Sequence, residues 1–354
     1  WGHCVTKEER INEVTTELHS LRSRIDSIHS TKVEEPLRPP KEPPRPPTEA
    51  CVTAQVKFVQ GVVAASGRNA KPFGWEHATY HSFFRALPTV TKRQPDIWSD
   101  GEGDGCAIFD VGANRARKLT GIIHAVQQAQ DNRTADDLEC SIYAYEPVPP
   151  TYKLAQERID ARFSEVTRKR VHLLNKAVGD QVGTIRFGWN GAGDLGASIS
   201  NTAGFSNSGM VPITTVDEEI ENVAGGRRVA MLKIDVEGHE AQTLRGAQRS
   251  LKAKRIDSVV WERHPNWKRT LKLPPLINEV NKVAAFGYHV YLQEQNTTVR
   301  LDGAYWHPTL ESSKFKVDAV AALANSKLDR LMGSRLLPPC QALAGLNSPQ
   351  HLSA

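Results

Sequence analysis

The sequence lacks the features that mark several common classes of protein. No stretch approaches the roughly 18 consecutive apolar residues that a membrane-spanning helix needs. The histidines form no HxH or HExxH arrangement and the cysteines form no CxxC pair, which argues against zinc. The net charge is only +5 over 354 residues, too small an excess to indicate nucleic-acid binding without a clustered basic face. What remains is an ordinary composition, enough for one large domain with appendages or for two domains.

Cysteine is scarce and scattered. The five cysteines are odd in number and far apart in the chain, and they show no disulfide framework. Cys106 and Cys140 each open a predicted buried strand, where a free thiol packs as a small apolar side chain. We therefore predict that both are unpaired and buried. The cysteines do not fix the cellular compartment.

The N-terminal segment contains one regular pattern. Apolar residues recur there at alternating spacings of three and four, which is typical of a coiled-coil seam. The residues of this seam are Ile11, Val14, Leu18, Leu21, Ile25 and Ile28. We predict a short coiled-coil helix over residues 1–33 that forms a homo-oligomer through residues 11–28. The alternative is a single amphipathic helix that packs on a domain.

Residues 34–50 form a proline-rich linker. Proline fixes its own φ and has no N–H to donate, so this run predicts extended polyproline II, a semi-rigid spacer. Its PxxP spacings also fit a ligand of SH3-type domains. Because the chain begins at Trp1 and not at Met, the sequence is compatible with two cellular compartments. With an N-terminal anchor before Trp1 the protein would lie at the membrane of the Golgi or secretory lumen, and without one it would be cytoplasmic.

Residues 51–330 predict one α/β domain, followed by a flexible tail over residues 331–354. Short apolar runs bounded by turn residues alternate with amphipathic stretches, which is typical of parallel strands and covering helices. The Gly/Ser/Asn-rich passage over residues 188–209 is long for a loop and predicts a lid or a disordered segment. The predicted strands are 106–110, 140–145, 171–175, 229–235, 257–261, 288–293 and 315–320, and the clearest predicted helices are 151–163 and 240–251.

Two segments end predicted strands with carboxylates: Asp110-Val-Gly-Ala-Asn114 and Lys233-Ile-Asp-Val-Glu-Gly-His-Glu240. Ligands bind outside the carboxyl ends of parallel strands, so both segments are expected to face one crevice. The first has the form of a strand-to-helix nucleotide turn, in which Gly112 lets the backbone approach a ligand. Glu146, at the end of the next predicted strand, is placed to accept hydrogen bonds from ribose hydroxyls. The missing three-glycine fingerprint disfavours a nicotinamide-dependent oxidoreductase.

An ordered set of short motifs resembles the FkbM family of S-adenosylmethionine (SAM)-dependent methyltransferases. The motifs lie at residues 110–114, 145–147, 175–180, 215–217, 233–240 and 261–262. The resemblance implies a class I methyltransferase fold: a Rossmann-like α/β domain with a seven-stranded, mostly parallel sheet and a reversed last hairpin. It also implies SAM as cofactor, and methyl transfer to a hydroxyl oxygen of a sugar, glycan or related metabolite.

The resemblance also assigns cofactor-binding residues. It places the methionine end of SAM over Asp110, Gly112, Ala113 and Asn114, the ribose at Glu146, and the adenine beside Asn175 and Ala177. Asp180 follows just beyond. One departure is Ala116, where family members usually have glycine. A single methyl group is a small steric change, so cofactor binding is still expected.

The second segment supplies the predicted catalytic residues. Class I methyltransferases place acceptor-facing groups at the end of this strand, so Asp235 or Glu237 is the first candidate for the base or acceptor ligand, and His239 is the next. The alternative is a structural network of ion pairs and helix caps. Candidates for substrate binding after the next strand are Glu262, His264 and Trp267. No metal site is predicted.

The sequence therefore predicts a SAM-dependent O-methyltransferase that acts on a small-molecule or glycan acceptor and has no nucleic-acid partner. The alternative is a catalytically inactive methyltransferase-fold scaffold, which assembles partners through the coiled coil and the proline-rich linker. Cofactor binding is the property that separates the two.

Overall fold

A computed structural model describes residues 46–65, 83–87, 106–129, 140–194, 196–197, 199, 204–263, 275–294, 296–311 and 317–341. The chain divides into two compact units, Trp1–Arg45 and Pro46–Ala354, and every described residue belongs to the second. The predicted coiled coil, most of the proline-rich linker, and the candidates His264 and Trp267 lie outside the described residues. None of the described helices combines the length and apolarity needed to cross a membrane.

Eleven strands form two sheets in the described part of the chain. In chain order they are β1 (Ala107–Val111), β2 (Ser141–Tyr145), β3 (Val171–Leu174), β4 (Ala177–Gly179), β5 (Gly183–Trp189), β6 (Asn207–Thr215), β7 (Val229–Ile234), β8 (Ser258–Arg263), β9 (Tyr288–Glu294), β10 (Thr297–Arg300) and β11 (Val317–Leu323). The seven predicted strands are all present, with ends within three residues of the prediction wherever the structure describes both.

The larger sheet has eight strands in the order β10-β9-β11-β8-β7-β1-β2-β3. β1, β2 and β7 are buried over their full length, as expected of parallel strands that are covered on both faces. β3, β2, β1, β7 and β8 run parallel, and β11 is antiparallel to both β8 and β9. A mostly parallel sheet with a reversed last hairpin is what the resemblance implies, and β10 is an eighth strand beyond the expected seven. Successive strands are added on one side of β1 up to β3 and then on the other side from β7 onward. Ligands of open α/β sheets bind at such a switch point, here between β1 and β7.

Helices flank the strands. In chain order they are α1 (Glu49–Ala65), α2 (Arg117–Ala129), α3 (Pro149–Arg162), α4 (Glu165–Arg168), α5 (Val216–Asn222), α6 (Glu240–Gly246), α7 (Gln248–Lys252), α8 (Leu276–Ala285), α9 (Lys327–Ser334) and α10 (Pro338–Gln341). The single helix predicted over residues 240–251 is wrong in one respect, because a break at Ala247 divides it into α6 and α7.

The smaller sheet has the order β4-β6-β5 and was not predicted as a sheet. β5 and β6 form an antiparallel hairpin, and β4 pairs with β6 in parallel. The ends of the passage predicted as a loop over residues 188–209 therefore belong to this hairpin, since Gly188 pairs with Ser208 and Phe187 with Gly209. The prediction of a lid or disordered segment is wrong for these ends.

Two apolar layers cover the faces of the larger sheet. Alternate residues of a strand point to opposite faces, so Ile108 packs in one layer and Phe109 in the other. Phe109 contacts the rings of Tyr143 and Tyr145, with centroids 5.4 and 5.7 Å away. Burial of each such large side chain contributes roughly 1.5–3 kcal/mol. The layers therefore hold the strand ends in fixed positions.

Two disulfides correct the prediction of free cysteines. Cys106 and Cys140 are bonded to each other, with Cα atoms 4.4 Å apart, and Cys51 is bonded to Cys340 across 289 residues of sequence. The first pair forms because β1 and β2 are parallel neighbours in which Ala107 lies opposite Ser141, so the residues before the two strands meet. The spacing of cysteines along the chain carries no information about this register.

The flexible tail predicted from residue 331 is wrong up to residue 341. α9 and α10 occupy this part of the chain, and Cys340 on α10 is fully buried and joined to α1. The structured domain thus begins at or before Glu49 and continues to Gln341. Residues 342–354 lie outside the described residues.

Candidate active site

The carboxyl ends of β1, β2 and β7 meet at the edge of an open cleft of about 680 Å³. Backbone hydrogen bonds join these ends: the N–H groups of Gly112 and Ala113 donate to the carbonyl of Tyr145, at 3.1 and 3.0 Å, and the N–H of Asp235 donates to the carbonyl of Val111 at 2.9 Å. Three segments that are distant in sequence are therefore fixed against one another. The cleft follows from the sheet order and not from any one motif.

Gly112 is required by the close approach of β1 and β7. Its φ is 86°, a left-handed conformation that favours glycine. A Cβ atom at this position would lie 1.8 Å from the backbone oxygen of Asp235. No side chain fits there unless the end of β7 moves. Gly112 thus allows the cofactor-binding turn after β1 to pack directly against the predicted catalytic segment after β7.

The turn after Gly112 contains two further left-handed residues. Asn114 has φ 47°, which asparagine tolerates, and Ala116 has φ 55°. Ala116 is fully buried at the start of α2, and its backbone N–H donates to the carbonyl of Ala113 at 2.9 Å. An alanine in this conformation costs about 1–2 kcal/mol, so the departure from glycine is strained but accommodated.

Asp110 lies beneath the turn in a buried ion pair. Its Oδ1 atom is 2.6 Å from Nζ of Lys233, and both side chains are almost completely buried. Its Oδ2 atom is also buried and has no hydrogen-bond partner among the described residues. A buried carboxylate oxygen without a partner is costly, so this atom is suited to accept a hydrogen bond from a cationic or N–H group of a ligand. Asp110 itself lies behind the cleft wall.

Glu146 is a buried carboxyl group on the cleft wall. Only 5% of its surface is exposed, and Oε1 accepts a hydrogen bond of 2.9 Å from the N–H of Val148. Burial raises the pKa of Glu146 to about 7, although hydrogen bonds from the backbone of Val148 and Asn114 act in the opposite direction. The group is therefore poised between its neutral and ionised forms near neutral pH.

Asn175 supports this part of the cleft from behind. Its side-chain amide donates to the carbonyl oxygens of Glu146 and Pro147, at 2.8 and 3.0 Å, and so fixes the turn after β2. Ala177 lines the cleft itself, together with Lys176 and Phe187. The sequence analysis missed Lys176 and Phe187, because nothing in their local sequence indicated that the smaller sheet lies beside the cofactor turn.

A loop between β5 and β6 closes another side of the cleft. The carboxylate of Asp194 accepts hydrogen bonds from the N–H groups of Asn190 and Gly196, at 2.8 and 2.9 Å. The carbonyl of Asp194 accepts one from the side chain of Asn114 at 3.2 Å. The N–H of Gly193 donates to Oγ1 of Thr151 on α3, at 2.8 Å. These bonds hold the loop against the cofactor turn, a contact that no sequence signal indicated.

Asp235 lies between two lysines. Its Oδ2 atom is 3.0 Å from Nζ of Lys118 and 3.7 Å from Nζ of Lys233. Lys118 Nζ also lies 4.0 Å from Oε2 of Glu262. Burial alone lowers the pKa of Lys118, but Asp235, Asp318 and Glu262 outweigh burial and raise it above its usual value. Lys118 therefore stays charged and forms an ion pair with Asp235.

Lys118 and Asp318 are functional candidates that sequence reasoning missed. Asp318 lies on β11, directly opposite Glu262 in the antiparallel pair with β8. With Asp235 and Lys118 these residues line a small recess beside the main cleft. The pairing of β11 with β8 brings Asp318 into the recess, and no local sequence pattern indicates that pairing. In the sequence, Lys118 is one of three basic residues close to the turn, with Arg115 and Arg117, and nothing there distinguishes it from the other two.

Glu237 and His239 line the main cleft on the turn after β7. Glu237 has a left-handed backbone, with φ 50°. Burial lowers the pKa of His239, although Asp180 acts in the opposite direction, so the imidazole is neutral at pH 7. Its Nδ1 atom is buried and without a partner among the described residues. Glu240, in contrast, caps the turn by accepting from the N–H groups of Val236 and Gly238.

The predicted residues thus fall into three groups. Those that line the main cleft are Gly112, Asn114, Glu146, Ala177, Asp235, Glu237 and His239. Those that support it from behind are Asp110, Ala113 and Asn175. Glu262 lies in the adjoining recess. Part of the alternative interpretation also holds, since Lys233 and Glu240 are engaged in structural contacts. In the described part of the chain no group of three His, Cys, Asp or Glu side chains could hold a metal ion.

A doubly wound sheet with a glycine turn after its first strand and an acid after its second defines a Rossmann-like protein of the class I methyltransferase type. Comparison with known families specifies it further. The profile described as Methyltransferase FkbM domain matches residues 110–290, just over half of the chain. The protein therefore belongs to the FkbM methyltransferase family, and family and fold together imply the use of SAM.

Solved structures give fainter likenesses. A methyltransferase FkbM from Methylobacillus flagellatus KT is 13% identical, with a TM-score of 0.38, over 77% of this chain and 60% of that one. A precorrin-6y C5,15-methyltransferase from Geobacter metallireducens GS-15 is 11% identical, with a TM-score of 0.32, over 72% and 92%. A putative RNA methyltransferase from Pyrococcus horikoshii is 8% identical, with a TM-score of 0.28, over 76% and 98%. The similarity covers less than two thirds of the Methylobacillus protein.

None of the curated proteins compared with the chain matches it. The family assignment therefore rests on the domain profile, and the acceptor has to be inferred from the site.

Proposed function

We propose that this protein is a SAM-dependent O-methyltransferase whose acceptor is a hydroxyl group of a sugar, a glycan or a related metabolite. One observation carries the proposal. The main cleft contains a cofactor half, formed by Gly112, Asn114, Glu146 and Ala177. Asp235 lines both this cleft and the adjoining recess that contains Lys118 and Glu262, and Asp235 with the recess forms the acceptor half. Carboxylates in the acceptor half suit a hydroxyl, because they can accept its proton.

The cofactor half fits SAM in three respects. The carboxyl group of Glu146 can accept two hydrogen bonds from the ribose hydroxyls once it is ionised. The partnerless Oδ2 atom of Asp110 can accept a hydrogen bond from the amino group, directly or through water. Ala177 and Phe187 offer apolar surface for a purine ring. These residues would hold the cofactor in the orientation that the resemblance implies.

In the acceptor half, Asp235 is the proposed base. SAM supplies a methyl group that is already activated by its sulfonium centre. The acceptor oxygen becomes positively charged as it attacks, so a nearby carboxylate both stabilises that charge and takes the hydroxyl proton. Lys118 and Lys233 fix the orientation of the Asp235 side chain through their ion pairs with it. His239, which is neutral and lines the same cleft, is the second candidate for the base.

The disulfides favour an oxidising compartment for this activity. Such bonds form and persist in secreted and luminal proteins and are rare in the cytosol. A sequon at Asn296-Thr-Thr is consistent with this, because Asn296 is exposed at the turn between β9 and β10. We therefore prefer the secretory lumen to the cytoplasm. The homo-oligomer through residues 11–28 stays a prediction, and an anchor before Trp1 stays one of two alternatives.

Two measurements test the proposal. Calorimetry with SAM and with S-adenosylhomocysteine should give saturable heat at micromolar concentrations. Tritium should then be transferred from methyl-labelled SAM to neutral or acidic oligosaccharides. Mass spectrometry of the product should identify a methyl ether. Binding without any transfer to hydroxyl acceptors would refute O-methylation but keep the cofactor. Absence of binding would instead favour the inactive scaffold.

A further inference from the structure

Four arginines form a cluster beside the cofactor turn. Arg115 lies in the turn, Arg117 begins α2, and Arg158 and Arg162 are one turn apart on α3. Arg117 and Arg162 are exposed, whereas Arg115 and Arg158 are half-buried. Burial, and after it the charges of the three other guanidinium groups, lower the pKa of Arg158. The four residues, named here the arginine surface, are therefore close enough to repel one another.

The arginine surface has no acidic partner among the described residues. Several other arginines of the domain form ion pairs, as Arg228 does with Asp257 and Arg300 with Asp302. Of the two acids of α3, Asp160 bonds to Gln156 and Arg168, and Glu157 is exposed and forms no ion pair with these arginines. The Nε atoms of Arg115 and Arg158 are buried and have no hydrogen-bond acceptor in the described structure. Buried donors without partners are costly, so an anionic ligand would relieve an unfavourable arrangement.

The arginine surface is joined to the cleft. Arg115 directly follows Asn114, which lines the cleft. The guanidinium side of Arg115 also packs on the loop that closes it: a Cβ atom at Gly193 would lie 2.6 Å from Cδ of Arg115. The same Gly193 is bonded to Thr151 at the start of α3. A long ligand bound along α3 would therefore extend towards the cleft mouth.

We propose that the arginine surface binds the sulfate or carboxylate groups of an acidic glycan and so guides that glycan to the cleft as acceptor. Guanidinium groups match such anions because they donate two parallel hydrogen bonds. The inference rests on the proposed function, and it narrows the acceptor to a polyanionic oligosaccharide. A glycan is preferred to a nucleic acid because the two disulfides favour an oxidising compartment.

Binding of defined oligosaccharides to the full chain tests this inference. The probes are a heparin hexasaccharide, which is sulfated, a hyaluronan hexasaccharide, which carries only carboxylates, and neutral maltohexaose. The double variant R158Q/R162Q removes two charges from the arginine surface but leaves Arg115 beside the cofactor turn. The matched control R186Q/R330Q removes two exposed arginines from β5 and α9. Melting temperature and SAM affinity are measured for each variant to confirm folding.

The expected result is that R158Q/R162Q weakens binding of at least one acidic hexasaccharide about tenfold, whereas R186Q/R330Q changes it less than about twofold. Equal losses in the two variants would mean that only net charge matters and would overturn the inference. So would failure of the wild type to bind either acidic probe, or tighter binding of a 12-nucleotide RNA than of both. Because these outcomes concern binding alone, they are independent of whether methyl transfer is found.

Discussion

The cofactor half of the cleft is held mainly by backbone hydrogen bonds, whereas the acceptor half is held by charged side chains. In the cofactor half, the turn at Gly112 bonds to the carbonyl of Tyr145, and Asn175 fixes the turn of Glu146. In the acceptor half, Lys118 from α2 meets Asp235 from the end of β7. Segments joined by backbone contacts tolerate almost no increase in side-chain volume. Ion pairs tolerate small changes in side-chain shape but not the loss of a charge. Substitutions should therefore act differently in the two halves.

The largest effect is expected from Gly112→Ala. The added methyl group would lie 1.8 Å from the oxygen of Asp235, so the ends of β1 and β7 must separate. We expect a loss of at least about 3 kcal/mol in the free energy of unfolding and no measurable SAM binding. Chemical denaturation and calorimetry provide the two measurements.

Gly225→Ala is the matched control for this substitution. Gly225 is also left-handed, with φ 61°, but a Cβ atom there would have no atom within 4 Å. Only backbone strain of about 1 kcal/mol is expected. If the two variants were equally stable, the close approach of the strands would not be what requires glycine at position 112.

Asp235→Asn should affect the acceptor half alone. The substitution preserves shape but removes the carboxylate between two lysines, so kcat should fall about 10²–10⁴-fold. The dissociation constant for SAM should change less than about threefold. Radiolabel transfer and calorimetry measure the two quantities.

His239→Asn distinguishes the two candidate bases. If Asp235 is the base, His239→Asn keeps most of the activity, and wild-type kcat stays level between pH 5 and pH 8. If His239 is the base, its substitution abolishes turnover, and wild-type kcat falls as the pH drops below 6.5, because burial lowers the pKa of this imidazole from that value. The second pattern would reassign the catalytic role.

Glu146→Gln should separate cofactor binding from stability. The pKa of Glu146 is about 7 in the folded protein against 4.5 for a free glutamate, so the folded state binds more protons between these values. The free energy of unfolding therefore falls as pH rises from about 4.5 to 7. By pH 8 the ionised group costs roughly 2–3 kcal/mol, which the glutamine variant would regain.

The same substitution should weaken SAM binding, because glutamine cannot accept two strong hydrogen bonds from the ribose. For the wild type, affinity should rise with pH between 5.5 and 7, as Glu146 ionises, and the variant should show no such rise. Glu157→Gln, on the exposed face of α3, is the control and should leave both properties unchanged. A wild-type affinity that did not depend on pH would exclude Glu146 as a ribose ligand.

The smallest effect is expected from Ala116→Gly. Relief of left-handed strain at φ 55° favours glycine by about 1 kcal/mol, while loss of a buried methyl group costs about 0.8 kcal/mol. The free energy of unfolding should change by less than about 1 kcal/mol, and SAM affinity should stay the same. A tenfold gain in affinity would show instead that Ala116 restricts the cofactor half.

The same division explains what the sequence could predict. The cofactor half was predictable because Asp110, Gly112 and Glu146 lie at the ends of apolar runs, and the family resemblance covers them. In the acceptor half, Asp235, its neighbours on the same turn and Glu262 were predicted, whereas Lys118 and Asp318 were not. Asp318 depends on the pairing of β11 with β8, and the Cys106–Cys140 bond depends on the register of β1 with β2. Neither pairing can be predicted from the residues that surround these positions in the sequence.

The disulfide between Cys51 and Cys340 has a mechanical consequence. It closes 289 residues of sequence into a covalent loop, which contains the whole of both sheets. Tension applied between the chain before Cys51 and the chain after Cys340 would pass through this one bond and leave the strands unloaded. The cleft could therefore keep its geometry while the flanking segments are pulled, as long as the sulfur–sulfur bond is intact.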